Sequence, residues 1–267
     1  MTRSYLLEAK QLSKTFTLQK KFFFGGQRDV LKAVNHVSLG VYEGETLGIV
    51  GESGCGKSTL ARLLTCLIKP TAGRVLFKGE DITNFTKEQL TAVRRDIQMI
   101  FQDPYASLDP RKRVFQLLAE PLAIHHIGTK SEREQMVFDV LEQVGLQKAH
   151  AARYPHEFSG GQCQRLNIAR ALILQPKIII CDEPVSALDV SIQAQILNLL
   201  LDLQQTNHLT YLFISHDLNV VRYFCDRIAV MNMGEVVESG PSDEVYGAPK
   251  DQYTRKLLAA IPKPIYE

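Results

Sequence analysis

One nonapeptide constrains this chain more than any other feature: Gly51-Glu52-Ser53-Gly54-Cys55-Gly56-Lys57-Ser58-Thr59. It satisfies the spacing G-x-x-x-x-G-K-[ST], with a short apolar run over 46–50 before it and a helical pattern over 57–67 after it. Glycines there let backbone N–H groups curl around phosphate oxygens, and the following helix N-terminus adds partial positive charge. In that reading Lys57 neutralises the β- and γ-phosphates and Ser58 offers its hydroxyl oxygen to Mg²⁺. The alternative, a glycine turn with a surface lysine, would spend conformational entropy on glycines without return. The expectation is a nucleoside triphosphate site within a strand–loop–helix unit.

The rest of the chain must supply a sheet for that unit. With 267 residues, 45% apolar and 22% charged, it is long enough for one large α/β domain and has the composition of a folding chain. Lys plus Arg number 31 against 29 for Asp plus Glu, and a net charge of +2 gives no general case for a nucleic-acid partner. No apolar run approaches the roughly 18 residues of a spanning helix, and residues 1–8 lack a secretory pattern, so a cytoplasmic location is expected. Cys55, Cys66, Cys163, Cys181 and Cys225 are odd in number and form no Cys-x-x-Cys pair, which points to reduced thiols rather than disulfides or zinc.

Strand-like runs are expected at 6–12, 37–41, 46–50, 74–78, 97–101, 178–181, 211–214 and 228–231. Between the fifth and sixth, residues 114–174 read as mainly helical, with Val137, Val140, Leu141 and Val144 on one face. A further amphipathic helix carries Ile192, Ile196, Leu199, Leu200 and Leu203. Strands alternating with helices imply a mostly parallel sheet. Phe22-Phe23-Phe24-Gly25-Gly26 reads as a hairpin insertion with packed aromatics.

Other polar residues end apolar runs where such sheets bind ligands. Asp182 and Glu183 close the run 178–181, so that Asp182 can serve Mg²⁺ and Glu183 can polarise an attacking water. Gln102 follows 97–101 and is a candidate for the metal or the water; His216 follows 211–215 and is a candidate donor to the γ-phosphate. Ser159-Gly160-Gly161-Gln162 fits a capping box, and the two glycines at a helix start favour close approach to an anion.

Taken in order, these motifs and Ser186-Ala187-Leu188-Asp189 resemble the nucleotide-binding subunit of ABC transporters across the whole chain. The resemblance implies a P-loop core with an antiparallel β subdomain and a helical subdomain in a single domain. It assigns 1–103 and 159–240 to the core and β subdomain, 104–158 to the helical subdomain and 241–267 to a C-terminal helical tail. It also implies that two subunits meet head to tail, ATP lying between one chain's Lys57 loop and the other's Ser159-Gly160-Gly161-Gln162 segment. Ser186 to Asp189 would be the D-loop and His216 the switch histidine. Adenine would stack on Phe16, with Tyr5 and Phe22 as fallbacks.

Phe101-Gln102-Asp103-Pro104-Tyr105-Ala106-Ser107-Leu108-Asp109-Pro110-Arg111, Asp182-Glu183-Pro184-Val185-Ser186 and Tyr253-Thr254-Arg255-Lys256-Leu257-Leu258 are similar to the oligopeptide, dipeptide and nickel uptake group of that family. The group implies two permease subunits, a second ATPase forming a heterodimer and a solute-binding protein, on the inner face of the cell membrane, with no nucleic acid. Two departures keep nickel or metallophore uptake and antimicrobial-peptide resistance open. Cys163 stands where a basic residue is common, and the cysteine-containing extension of many peptide-type members has no counterpart before Glu267. A nucleic-acid or ribosome-associated ATPase would need a coiled-coil insertion or a tandem domain, and a P-loop kinase would not need Ser159 to Gln162. The region after Gln102 would face the permease, leaving Arg111-Lys112-Arg113 either a contact patch or a solvated basic turn. Cys55, beside a helix N-terminus and Lys57, is expected to have an acidified, reactive thiol.

Overall fold

A computed structural model of the chain describes residues 4–18 and 29–260. The stretch Phe22 to Gly26 and the fallback Phe22 lie outside the described residues. Ten strands and nine α-helices are found among the described residues. In chain order they are β1 (Tyr5–Leu18), β2 (Asp29–Tyr42), β3 (Thr46–Val50), α1 (Lys57–Leu64), β4 (Ala72–Phe77), β5 (Glu80–Asp81), α2 (Lys87–Asp96), β6 (Ile97–Ile100), α3 (Val114–Ile124) and α4 (Lys130–Gln143). There follow α5 (Gly160–Leu172), β7 (Ile178–Asp182), α6 (Val190–Asn207), β8 (Thr210–Ser215), α7 (Leu218–Phe224), β9 (Arg227–Asn232), β10 (Glu235–Pro241), α8 (Ser242–Gly247) and α9 (Gln252–Ala259). Chain contacts divide the molecule into two compact units, Met1–Phe85 with Phe213–Glu267, and Thr86–Leu212.

The first unit contains an antiparallel sheet ordered β2-β1-β4-β5. Its second layer has β3 parallel to β9, Val50 opposite Val230, and β9 antiparallel to β10. Every residue of β3 is buried, which suits a continuous apolar run covered on both faces. Helix α1 stops at Leu64, short of the expected residue 67, because Thr65 donates its hydroxyl to Ala61 O at 3.0 Å and Cys66 takes a φ of 52°.

The second unit has β6 parallel to β7, Ile100 opposite Cys181, and again every residue of β7 is buried. Side chains at the helix starts explain where its helices begin. Thr86, Thr129 and Ser159 each accept from a backbone N–H three residues on, while Gln89, Glu132 and Gln162 reach back to the cap. Helix α4 buries Val137, Val140 and Leu141, as its periodicity predicts. In α6 the buried set is Ile196, Leu197, Leu200 and Leu203, so Leu197 takes the place expected for Leu199. The basic turn is committed within its own unit. Arg111 grips Asp109 with two bonds of 3.1 Å, holding that carboxyl at about 2; Lys112 meets Glu120 at 2.7 Å, and Arg113 donates to Ala152 O at 2.9 Å.

Candidate functional site

The loop between β3 and α1 is shaped by its glycines. A Cβ on Gly51 would lie 2.1 Å from Met231 O, and one on Gly56, whose φ is 111°, would lie 2.1 Å from Ala33 O. No side chain fits at either place, so the backbone of the loop runs directly against β9 and β2. Gly234 N completes the fastening by donating to Cys55 O at 2.9 Å, while Gly234 O accepts from Asn35 N at 2.8 Å.

Lys57 is 4% exposed. Its ammonium donates to Gly51 O at 2.8 Å and Glu52 O at 2.9 Å and stands 3.8 Å from Cys55 Sγ. A buried ammonium needs such partners, and carbonyls are ones it can exchange for phosphate oxygens. Cys55 departs from expectation. Burial pushes its thiol above the ordinary value and outweighs the attraction of Lys57, so the thiol is protonated at neutral pH and less reactive than a free one.

In the second unit β7 delivers Asp182, 4% exposed, and then Glu183 in a left-handed conformation with φ 50°. A non-glycine residue there carries a local cost of about 1 kcal/mol, which is a recurrent feature of functional turns. Gln102, just beyond β6, donates from Nε2 to Glu183 Oε2 at 3.1 Å. Two residues placed separately from the sequence are thus brought together. Ser186 closes the turn by donating its hydroxyl to Glu183 O at 3.1 Å, and Gln193 Nε2 donates to Leu188 O at 2.9 Å.

Ser159 is the N-cap of α5, accepting from Gln162 N at 3.4 Å while Gln162 Oε1 accepts from Ser159 N at 3.1 Å. The glycines that follow have a packing reason beside the anion reading. A Cβ on Gly161 would come within 2.7 Å of Ile192 Cγ2, whereas one on Gly160 would find Leu188 Cδ2 at 3.5 Å, an ordinary contact.

These features, a glycine-shaped loop with its lysine and a strand-end carboxylate pair, suit the chemistry of phosphoryl transfer, and the sequence matches the ABC transporter family over residues 34–186. The chain belongs to the ABC transporter family. It is an ATP-hydrolysing cassette of that family, binding ATP. It is 53% identical to the oligopeptide transport ATP-binding protein AppF of Bacillus subtilis, over 96% of this chain and 78% of that one. With the oligopeptide transport ATP-binding protein OppF of Escherichia coli it shares 52% identity over 98% of this chain and 79% of the other. Among solved structures, the ATP-binding cassette MJ0796, dimeric in a post-hydrolysis state with ADP and Pi, superposes with a TM-score of 0.78 at 33% identity, covering 88% of this chain and 98% of that one.

Two residues of this ABC cassette expected at the nucleotide sit in the first unit. His216 follows β8 and is exposed, and Asp217 beside it caps α7 by accepting from Asn219 N at 2.8 Å. Phe16 is 39% exposed on β1, paired with Leu31 of β2, with Lys14 Nζ 5.2 Å from its ring centre. Tyr5 is committed elsewhere, stacked on Tyr42 at 4.5 Å, its ring against Gly40.

Sequence reasoning missed one long-range contact and one buried network. Tyr253 of α9 accepts a hydrogen bond from Glu52 N at 3.1 Å. The buried Asn167 of α5 accepts from Ser107 Oγ at 2.7 Å and donates to Pro104 O at 2.8 Å, while Arg170 donates to Ser107 O. A polar Asn among Leu166, Ile168 and Ala169 was the available signal for the second. Among the described residues no cluster of three His, Cys, Asp or Glu groups is present, and no helix is long and apolar enough to cross a membrane.

Proposed function

We propose that this chain powers uptake of oligopeptides or dipeptides as the ATP-hydrolysing subunit of an ABC importer, held at the cytoplasmic face of the cell membrane. Its partners are two membrane-spanning permeases and a second, non-identical ATPase, with a solute-binding protein delivering cargo. The observation that carries the reading is near-full-length identity of 53% and 52% to relatives named for oligopeptide transport.

In this reading Lys57 exchanges the carbonyls of Gly51 and Glu52 for the β- and γ-phosphates, at little cost because both states are charge-assisted. The amides of the loop from Gly51 to Thr59 cradle the same phosphates, except the Glu52 N–H, which donates to Tyr253 Oη. Ser58, Asp182 and Gln102 offer hydroxyl, carboxylate and amide oxygens, a hard donor set that fits Mg²⁺, and that ion, when bound, neutralises charge on the phosphates. Glu183 takes the proton of the attacking water, with Gln102 holding the carboxylate in place. His216 donates to the γ-phosphate and Phe16 stacks on adenine. Ser159, Gly160, Gly161 and Gln162 serve the nucleotide of the partner ATPase, and Ser186, Ala187, Leu188 and Asp189 face that partner.

The test is to tag the chain, extract it gently from membranes of its host and identify what co-purifies by mass spectrometry. Two permeases and a related ATPase, with peptide uptake lost on deletion, are expected. Ribosomal or DNA-bound partners, or a nickel-uptake defect with peptide uptake intact, would overturn it.

A further inference from the structure

The second residue of the nucleotide loop is held from a place 201 residues further along the chain, where Tyr253 Oη accepts from Glu52 N at 3.1 Å. The N–H of Glu52 and the C=O of Gly51 belong to one peptide unit, which is planar, so fixing one end fixes the direction of the other. The other end is the carbonyl on which Lys57 Nζ rests at 2.8 Å. Tyrosine hydroxyl, peptide and ammonium thus form one chain of hydrogen bonds, each polarising the next. Without the hydroxyl only the Lys57 contact holds the plane beside Gly51, because glycine itself sets little barrier.

The tyrosine is itself held firmly. Asp251 Oδ1 accepts from Tyr253 N at 2.7 Å, and the Glu238 carboxylate of β10 accepts from Lys250 N at 2.8 Å and Asp251 N at 3.0 Å. Arg255 Nε donates back to Pro249 O at 2.9 Å, and Thr254 is fully buried. Strand β10 in turn pairs with β9, whose Met231 O lies against Gly51. The loop is gripped through β9 on one side and through α9 on the other.

We propose that Tyr253 is a positioning residue for nucleotide binding: from α9 its hydroxyl orients the Gly51–Glu52 peptide, and with it the carbonyl on which Lys57 waits for phosphate. The proposal rests on the reading of this loop as the ATP site. Its consequence is a loop already ordered before nucleotide arrives, so that binding does not have to supply the ordering.

Tyr253→Phe removes the hydroxyl and leaves the ring. Loss of one neutral hydrogen bond of this kind corresponds to about threefold to tenfold weaker binding. Titration calorimetry with ATP and with ADP is expected to show that loss for both nucleotides, with the kinetic effect falling on KM rather than kcat. Equal affinity of the variant and the unaltered chain would overturn the proposal while leaving the ATP site standing; failure of the unaltered chain to bind ATP would overturn both. Should Tyr253→Phe not fold, amide hydrogen exchange in the nucleotide-free, unaltered protein decides: a slowly exchanging Glu52 amide supports the proposal, and a freely exchanging one overturns it.

Discussion

Asn167→Ala is the perturbation whose cost follows most directly from the geometry. The side chain is 3% exposed and makes bonds of 2.7 Å and 2.8 Å, to Ser107 Oγ and to the carbonyl of the buried Pro104. Alanine removes both and supplies no water in their place. Ser107 Oγ, 3.2 Å from Pro104 O, still serves that carbonyl, so the cost is two lost hydrogen bonds at about 1 kcal/mol each, about 2 kcal/mol together. With an unfolding entropy of about 2.1 cal/mol/K per residue, that corresponds to a melting temperature lower by about 4 °C. Calorimetry and urea unfolding of the nucleotide-free protein measure it. Ser107→Ala alone should cost about 1 kcal/mol, and the double variant should be less destabilised than the sum by a similar amount, because the shared bond is counted once. A loss below about 1 kcal/mol for Asn167→Ala, or strict additivity with Ser107→Ala, would refute the network as described.

Three further expectations follow from the site. Glu183→Gln should still bind ATP while turnover falls by about 10²- to 10⁴-fold, since the water loses its base and the phosphate loop is untouched; single-turnover hydrolysis near the unaltered rate would sink the assignment. Lys57→Ala should weaken ATP binding at least tenfold at pH 7, read by titration calorimetry, because a charge-assisted contact to phosphate is lost. Cys55 should react slowly with maleimide at pH 7 and faster with each step toward and beyond pH 9, in line with a thiol pKa raised by burial. The same shift has a stability sign: with the folded value above the unfolded one, the contribution of Cys55 is intact below the unfolded pKa and declines as pH climbs past it, which urea unfolding between pH 7 and 10 will register.

What the sequence disclosed and what it hid divide along physical lines. Local chemistry was legible: the loop from Gly51 to Thr59, the Ser159 cap of α5 and the buried runs that became β3 and β7 each depend on residues a few positions apart. The environment of a residue was not. Proximity to Lys57 suggested an acidified Cys55, and only the fold reveals that burial dominates. Gly161 suggested an anion, and only the approach of Ile192 reveals that packing asks for glycine as well. The contact of Tyr253 with Glu52 joins distant stretches, for which neither periodicity nor spacing carries a trace. Short or edge elements such as β5 and β10 also escaped, because Glu80–Asp81 and Glu235–Pro241 are largely polar or half-exposed and lack a strong alternation.

The footing of the nucleotide loop is made of main-chain atoms: Met231 O under Gly51, Ala33 O under Gly56, and Gly234 N on Cys55 O. Peptide groups have no proton to gain or lose across the range a cell experiences, so the outline of the cradle is indifferent to acidity even where the groups that work within it are not. It is also indifferent to most exchanges of neighbouring side chains. Variation can accumulate around the loop at half-exposed positions such as Ala33 with the curve of the backbone inherited unchanged, whereas the glycines that let two backbones touch, and the buried Met231 side chain packed against Gly56, are intolerant.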